Sequence, residues 1–179
     1  MPMVDDDIFV QAQRQDRQAL EQLLESTYGP LQRMAYGLSG REDVGRGIVR
    51  FMMKQGLARL PQWRDAEMAR RWFYHHTILT VRRAAMHQPT PKQEVLLRGQ
   101  QPAAYQAFIR AMRALPQQQR EAFLLTHGEK LDSRQVAIAM DCSTHAVELH
   151  LQAAQDALTP LAGDSFPALV NQMTQAYQA

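Results

Sequence analysis

The reactive side chains of this chain are few, and their spacing limits the chemistry open to them. His75 and His76 are adjacent, so on a helix they point to different faces, and His145 and His150 stand five apart. Neither pair has the i, i+4 spacing of a helical metal site. The single cysteine, Cys142, excludes an internal disulfide and a multi-cysteine metal site. In the turn where it stands, a small and mostly buried thiol is the ordinary role. Ser133, Ser143 and the histidines form no nucleophile, base and orienter pattern, and no phosphate-loop motif occurs. The expectation is therefore no enzyme, no metal and no cofactor. What stands out is a recognition pattern at 115–158. Leu115-Pro116-Gln117-Gln118-Gln119-Arg120-Glu121-Ala122-Phe123-Leu124-Leu125 opens a helix, with Pro116 suited to its first turn. A short helix follows over about 132–140, capped by Asp132 or Ser133. Asp141-Cys142-Ser143 makes a tight break. A longer helix over about 144–158, capped by Ser143 or Thr144, turns Val147, Leu151 and Leu158 inward. A short helix, a tight turn and a longer helix are the framework that sets a helix in a DNA major groove. Yet no Lys or Arg follows Arg134, although phosphate neutralisation supplies much of the affinity for DNA.

Composition narrows the class further. The 179 residues suffice for one domain or two small ones, and a 45% hydrophobic share is that of a globular protein. No apolar run approaches the roughly 20 residues of a membrane helix, so no membrane role is expected. The acidic start, Met1-Pro2-Met3-Val4-Asp5-Asp6-Asp7, has no signal-peptide pattern, and a cytoplasmic protein is the simplest reading. The net charge of +2 hides an uneven distribution. Residues 1–30 hold six acids and two bases, 31–88 hold eleven bases and four acids, and 135–179 hold four acids and no Lys or Arg. The basic middle fits an anionic partner such as nucleic acid, and equally an ordinary solvated helix face.

The elements that must position these residues are all helical by periodicity. Ala19, Leu20, Leu23, Leu24, Thr27 and Tyr28 form one stripe. Pro30 is expected to start another helix, with Leu31, Met34, Ala35 and Leu38 inward and Ser39-Gly40 ending it. Val44, Ile48, Phe51 and Met52 mark a third, weakened by Gly45, Gly47 and Gly56, each costing up to about 1 kcal/mol against Ala, and closed by Pro61. A fourth spans about 66–87, with Met68, Trp72, Phe73 and Leu79 as its core face. The segment 88–102, with Pro89, Pro91, Gly99 and Pro102, reads as a short flexible linker. Tyr105, Phe108, Ile109, Met112 and Leu115 then form an amphipathic helix. Phe166, Leu169, Val170, Met173 and Tyr177 mark a last one, expected to pack back on the second domain. The fold class is all-α: an N-terminal helical bundle (1–87), the linker (88–102), a helix-turn-helix domain (103–162) and a C-terminal amphipathic helix (163–179).

In this order and spacing, roughly residues 5–160 resemble a bacterial sigma factor of the extracytoplasmic-function group within the sigma-70 family. Residues 8–20, from Ile8-Phe9-Val10 to Asp16-Arg17-Gln18-Ala19-Leu20, are similar to its opening helix and turn. Tyr28-Gly29-Pro30-Leu31 and Ser39-Gly40-Arg41-Glu42-Asp43 are similar to its next landmarks. Leu60-Pro61-Gln62-Trp63-Arg64 and Trp72-Phe73-Tyr74 resemble the loop and aromatic start of its promoter-melting helix. The stretch from Ala114 to Leu125 is the most specific match, with Val136-Ala137 and Asp141-Cys142-Ser143 in register. The resemblance implies two helical domains, for the −10 and −35 promoter elements, with core RNA polymerase and promoter DNA as partners and an anti-sigma factor as a further one. It assigns Thr144, His145, Glu148, Leu149, Gln152 and Gln155 to −35 DNA. It assigns Trp63, Arg64, Tyr74, His75, Arg82 and Arg83 to −10 DNA, and Asp43, Arg46, Val49 and Arg50 to polymerase. It also implies that the domains can pack together and hide DNA-binding surface.

The departures from that pattern set two functional readings side by side. Arg46 and Arg50 stand about where the family presents acids to the polymerase clamp, and like-charge contacts lower affinity. Leu79 stands near an expected Asn, and Arg82 and Arg83 replace a longer run of arginines. Those two suit phosphate contacts or the helix dipole equally. Glu148, His150, Ala153, Gln155, Asp156 and Ala157 occupy recognition-helix places where the family carries Lys or Arg. Glu148 can still accept from cytosine N4; His145 and His150 help only when protonated. Trp63, in a loop, is expected to be the exposed stacking residue, and Trp72 a core residue. The first reading is a working sigma factor. The second is a sigma-like interaction module without promoter binding that engages an anti-sigma factor or other regulator.

Overall fold

The computed structural model describes residues 5–85 and 94–179. Nine α-helices and no strands occur among them. Four helices form the N-terminal half: α1 (Asp6–Gln13), α2 (Arg17–Ser39), α3 (Glu42–Arg59) and α4 (Ala66–Ala85). Five follow: α5 (Ala103–Ala114), α6 (Gln117–Phe123), α7 (Ser133–Met140), α8 (Thr144–Ala162) and α9 (Phe166–Gln178). No described helix is long and apolar enough to cross a membrane.

Local chemistry sets most boundaries. Asp5 and Asp16 accept hydrogen bonds from the backbone N–H groups of Ile8 and Ala19, capping α1 and α2. Gly40, at φ 70°, ends α2 in the left-handed conformation that favours glycine. Asp132 and Gln135 form a reciprocal capping box at α7, and Ser143 caps α8. Between them Asp141 takes φ 57°, which turns the chain sharply. Pro116 stands one residue before α6.

Three expectations change. Pro30 lies inside α2 and does not start a helix. The ring removes one backbone bond, but the buried stripe of Ala19, Leu23, Thr27, Leu31, Met34 and Leu38 runs unbroken past it and holds the helix together. The core face of α4 is Ala69, Phe73, Thr77, Ile78 and Val81, while Met68 is exposed and Leu79 half-buried. The reason is that α4 is covered on two sides, by α2 and α3 and by α7, so one amphipathic stripe could not describe it. Phe51 is likewise exposed, because Ile48 and Met52 take the inward positions of α3. The weakening glycine Gly56 has a packing reason: a Cβ there would lie 2.2 Å from the Phe73 ring.

Pro89, Pro91 and the end of the expected fourth helix at His87 fall outside the described residues. The described end of the linker is anchored. A 3-10 turn at Val95–Leu97 buries Leu96, whose carbonyl accepts from the Tyr105 hydroxyl at 3.0 Å, and the Val95 N–H donates to the Gly40 carbonyl. The halves therefore meet over a broad seam, where α4 packs on α7 and α9 reaches α2.

Candidate functional site

Three faces hold the residues singled out by sequence, on α8, on α4 with its preceding loop, and on α3. On α8, Val147, Ala154 and Leu158 are buried against α6 and α7 and fix the helix on its scaffold. Thr144, His145, Glu148, Leu149 and Gln152 are exposed, and Gln155 is half-buried. This outward face is polar and acidic. Gln152 donates to Asp156 at 2.8 Å, and His145 lies 3.9 Å from Glu148. It also carries an apolar tip, since Leu149 is 57% exposed. Cys142, in the turn before it, is half-buried, and burial pushes its thiol up.

The α4 face differs from expectation at Trp63. Its ring is buried, packed at a tilt against Trp72 at 5.4 Å and Phe73 at 5.6 Å. It is a core residue because the loop folds back on the bundle, where the Gln13 amide donates to the Leu60 and Trp63 carbonyls. Trp72 is the half-exposed ring, with the Arg59 guanidinium 5.2 Å above it and His76 beside it at 4.6 Å. Burial, and then His75 next to it, lowers the His76 pKa. Arg64 is exposed and paired with Asp65 at 2.9 Å.

The other α4 candidates lie in the seam between the halves. Tyr74 lines a pocket together with Gln135, Ile138 and Ala139 of α7, and burial raises its hydroxyl pKa. The His75 Nδ1 stands 3.2 Å from the Ala139 carbonyl oxygen. Arg82 forks onto the Glu121 carboxylate at 2.6 and 3.1 Å, and Gln117 donates to the same carboxylate at 2.9 Å. Of the two arginines, Arg83 alone is exposed. The sequence brought Arg82 forward as a phosphate or dipole partner, whereas here it is an ion-pair partner of α6.

On α3, Asp43 is exposed and bridged to Arg41 at 2.6 Å, which holds its carboxyl at about 2. Arg46 pairs with Glu42 at 2.7 Å, and Glu42 also holds Arg98 at 2.7 Å. Arg50 is exposed. Val49 is only 3% exposed and packs into the bundle, so it supports this face from beneath.

Sequence reasoning passed over Arg59, Glu121 and Glu129. For Glu121 a signal existed, since an acid adjoining Ala122-Phe123-Leu124-Leu125 sits in an apolar run and needs a partner when buried. Glu129 gave none, because Gly128-Glu129-Lys130 reads as an exposed turn. In the structure its side chain is buried, 3.7 Å from Arg33 of α2, and burial lifts its carboxyl to about 7.

Residues 105–158, which span α5 to α8, match the sequence profile of the family described as Sigma-70, region 4. That segment carries the pattern of sigma-70 region 4. No curated protein sequence matches it. In fold it is similar to CnrH, solved in complex with the cytosolic domain of CnrY. Identity is 19%, covering 88% of this chain and 96% of that one, with a TM-score of 0.68. It is also similar to the sigma factor RpoE from Bartonella quintana, solved with the anti-sigma factor NepR. There identity is 20%, covering 79% of this chain and 95% of that one, with a TM-score of 0.54. At these identities the likeness is one of fold. It extends across both halves of the chain.

Proposed function

We propose that this protein acts in transcription initiation as a cytoplasmic, non-catalytic sigma factor of the extracytoplasmic-function group. Residues 1–87 form the domain directed at the −10 element and residues 103–162 the domain directed at the −35 element, with 88–102 as the connection. The observation that carries this reading is the region 4 match over 105–158, on a chain that shares its fold with CnrH over 88% of its length. Core RNA polymerase binds along α3 at Asp43, Arg46 and Arg50, the exposed residues of that face. Promoter DNA meets Arg64, Tyr74, His75, Arg82 and Arg83 on and before α4, with Trp72 and Arg59 as the ring and cation best placed to stack on a base. Thr144, His145, Glu148, Leu149, Gln152 and Gln155 face the −35 element. Tyr74, His75 and Arg82 are half-buried against α6 and α7 in the free protein, so full DNA contact at −10 requires the halves to separate.

A second reading has an observation of its own. The α8 face carries Glu148 and Asp156 and no Lys or Arg, which opposes phosphate and suits a protein partner. Two structural relatives were solved with protein partners, CnrY and the anti-sigma factor NepR, and an anti-sigma factor is the natural candidate here. Pull-down of purified core RNA polymerase tests the choice, with the natural chain beside an Arg46→Glu, Arg50→Glu double variant. Binding by the natural chain is the expected result. Binding gained only in the double variant would replace the sigma-factor reading with the interaction module.

A further inference from the structure

The C-terminal helix follows the segment matched to region 4 and is not needed to complete the helix-turn-helix, yet it touches more than its own half. Phe166 joins a ring cluster with Phe108 and Phe123 at 6.1 and 6.5 Å, which roots α9 on α5 and α6. Further along, Thr174 donates to the His127 carbonyl at 2.8 Å, and the Gln178 amide donates to the Gly128 carbonyl. Between these bonds the Tyr177 ring, 4% exposed, fills a notch with one wall from each half. A Cβ on Gly37 of α2 would lie 1.9 Å from that ring, and one on Gly128 would lie 2.7 Å from it. Only glycine at both walls lets the ring seat. Next to the ring, Arg113 of α5 donates to the Gly37 and Leu38 carbonyls at 2.7 and 3.2 Å, near the end of α2.

We propose that α9 is an intramolecular clasp, with Tyr177 as its pin, that holds the two halves of the free protein closed over the seam face of α4. The clasp is built to release. Among the described residues the Tyr177 hydroxyl has no hydrogen-bond partner, and packing holds the ring. Beside it a half-open pocket of about 180 Å³ lies among Gln32, Arg33, Tyr36 and Arg98, so solvent reaches one side of the notch. Without the pin, α9 stays rooted through Phe166 and the halves part.

Small-angle scattering of the full chain tests this without polymerase or DNA, so its outcome is independent of the transcriptional reading. The natural chain of 179 residues should show a radius of gyration of about 16 Å, and two separated halves about 19 Å. Tyr177→Ala should move the protein to the larger value with its helical circular dichroism retained. Gly37→Ala should do the same by closing the notch, although alanine is the better helix former. Tyr177→Phe should stay closed, because the hydroxyl is unpartnered. The double variant Gly37→Ala, Tyr177→Ala should be no more open than either single one. An unchanged radius in both alanine variants would overturn the clasp. So would loss of helix in them, since the clasp requires halves that remain folded when apart.

Discussion

Helices α8 and α4 stand at the two places where a sigma-like chain is expected to read a promoter, and each lacks what the other has. The outward side of α8 is open to solvent from Thr144 to Asp156 but carries no cation. Arg70, Arg71, Arg82, Arg83 and three aromatic rings crowd α4, but Tyr74, His75 and Arg82 are turned onto α6 and α7. A polyanion needs charge and access together, and the closed protein divides them between two helices. Surface chemistry therefore says what a helix can bind only after its neighbours have been subtracted.

The largest test of this contrast concerns Trp63. As the centre of a buried ring cluster, its replacement by Ala should lower stability by about 3–5 kcal/mol in urea unfolding. Unchanged stability with weakened single-strand binding would return it to the exposed role. Arg82→Ala comes next. It strands the Glu121 carboxylate, only 3% exposed, beside Gln117, and should cost about 3 kcal/mol. Adding Glu121→Leu should recover most of that loss. Full stability in the single variant would mean the seam does not hold Arg82.

Glu129 adds a dependence on pH. It faces Arg33 of α2 across the seam, with Tyr74 of α4 and Tyr177 of α9 as the other titratable groups against it. Its carboxyl titrates at about 7 when folded, against 4.5 ordinarily. Its contribution to stability is therefore complete below pH 4.5, falls as pH rises, and is lost by about pH 7. Glu129→Gln should remove that slope and raise stability at pH 8 by up to about 3 kcal/mol; parallel stability profiles for the two proteins between pH 5 and 8 would exclude it. The smallest effect in energy is on α8. Glu148→Arg, Ala153→Arg and Asp156→Arg together should create DNA affinity whose salt slope steepens by about 3. If the natural chain already binds promoter DNA with a steep slope, the acidic face is no barrier.

Much of the local architecture was legible. Asp132, Ser143 and Gly40 announced helix ends because caps act within one turn of chain, and Val147 and Leu158 announced the inward side of α8 because a helix with one covered side shows one stripe. The site was less legible. Trp63 looked exposed because a loop sequence does not reveal that it folds back under Gln13. Met68 and Leu79 looked buried because α4 has two covered sides, and a single stripe misplaces both. Val49 looked like a contact residue because its number falls in the right stretch, while its side chain faces the bundle.

By itself the sequence determined the all-helical class, most of the helix ends, the helix-turn-helix turn at Asp141-Cys142-Ser143 and the acidic character of α8, all consequences of spacing and side-chain type within a few residues. Only the tertiary structure decided that Arg82 answers Glu121, that Glu129 lies buried against Arg33, and that Tyr177 fits between Gly37 and Gly128. Those pairings join residues 39, 96, 140 and 49 positions apart. At such separations local propensity is silent, and partners are chosen by which surfaces remain to be buried when the two halves meet.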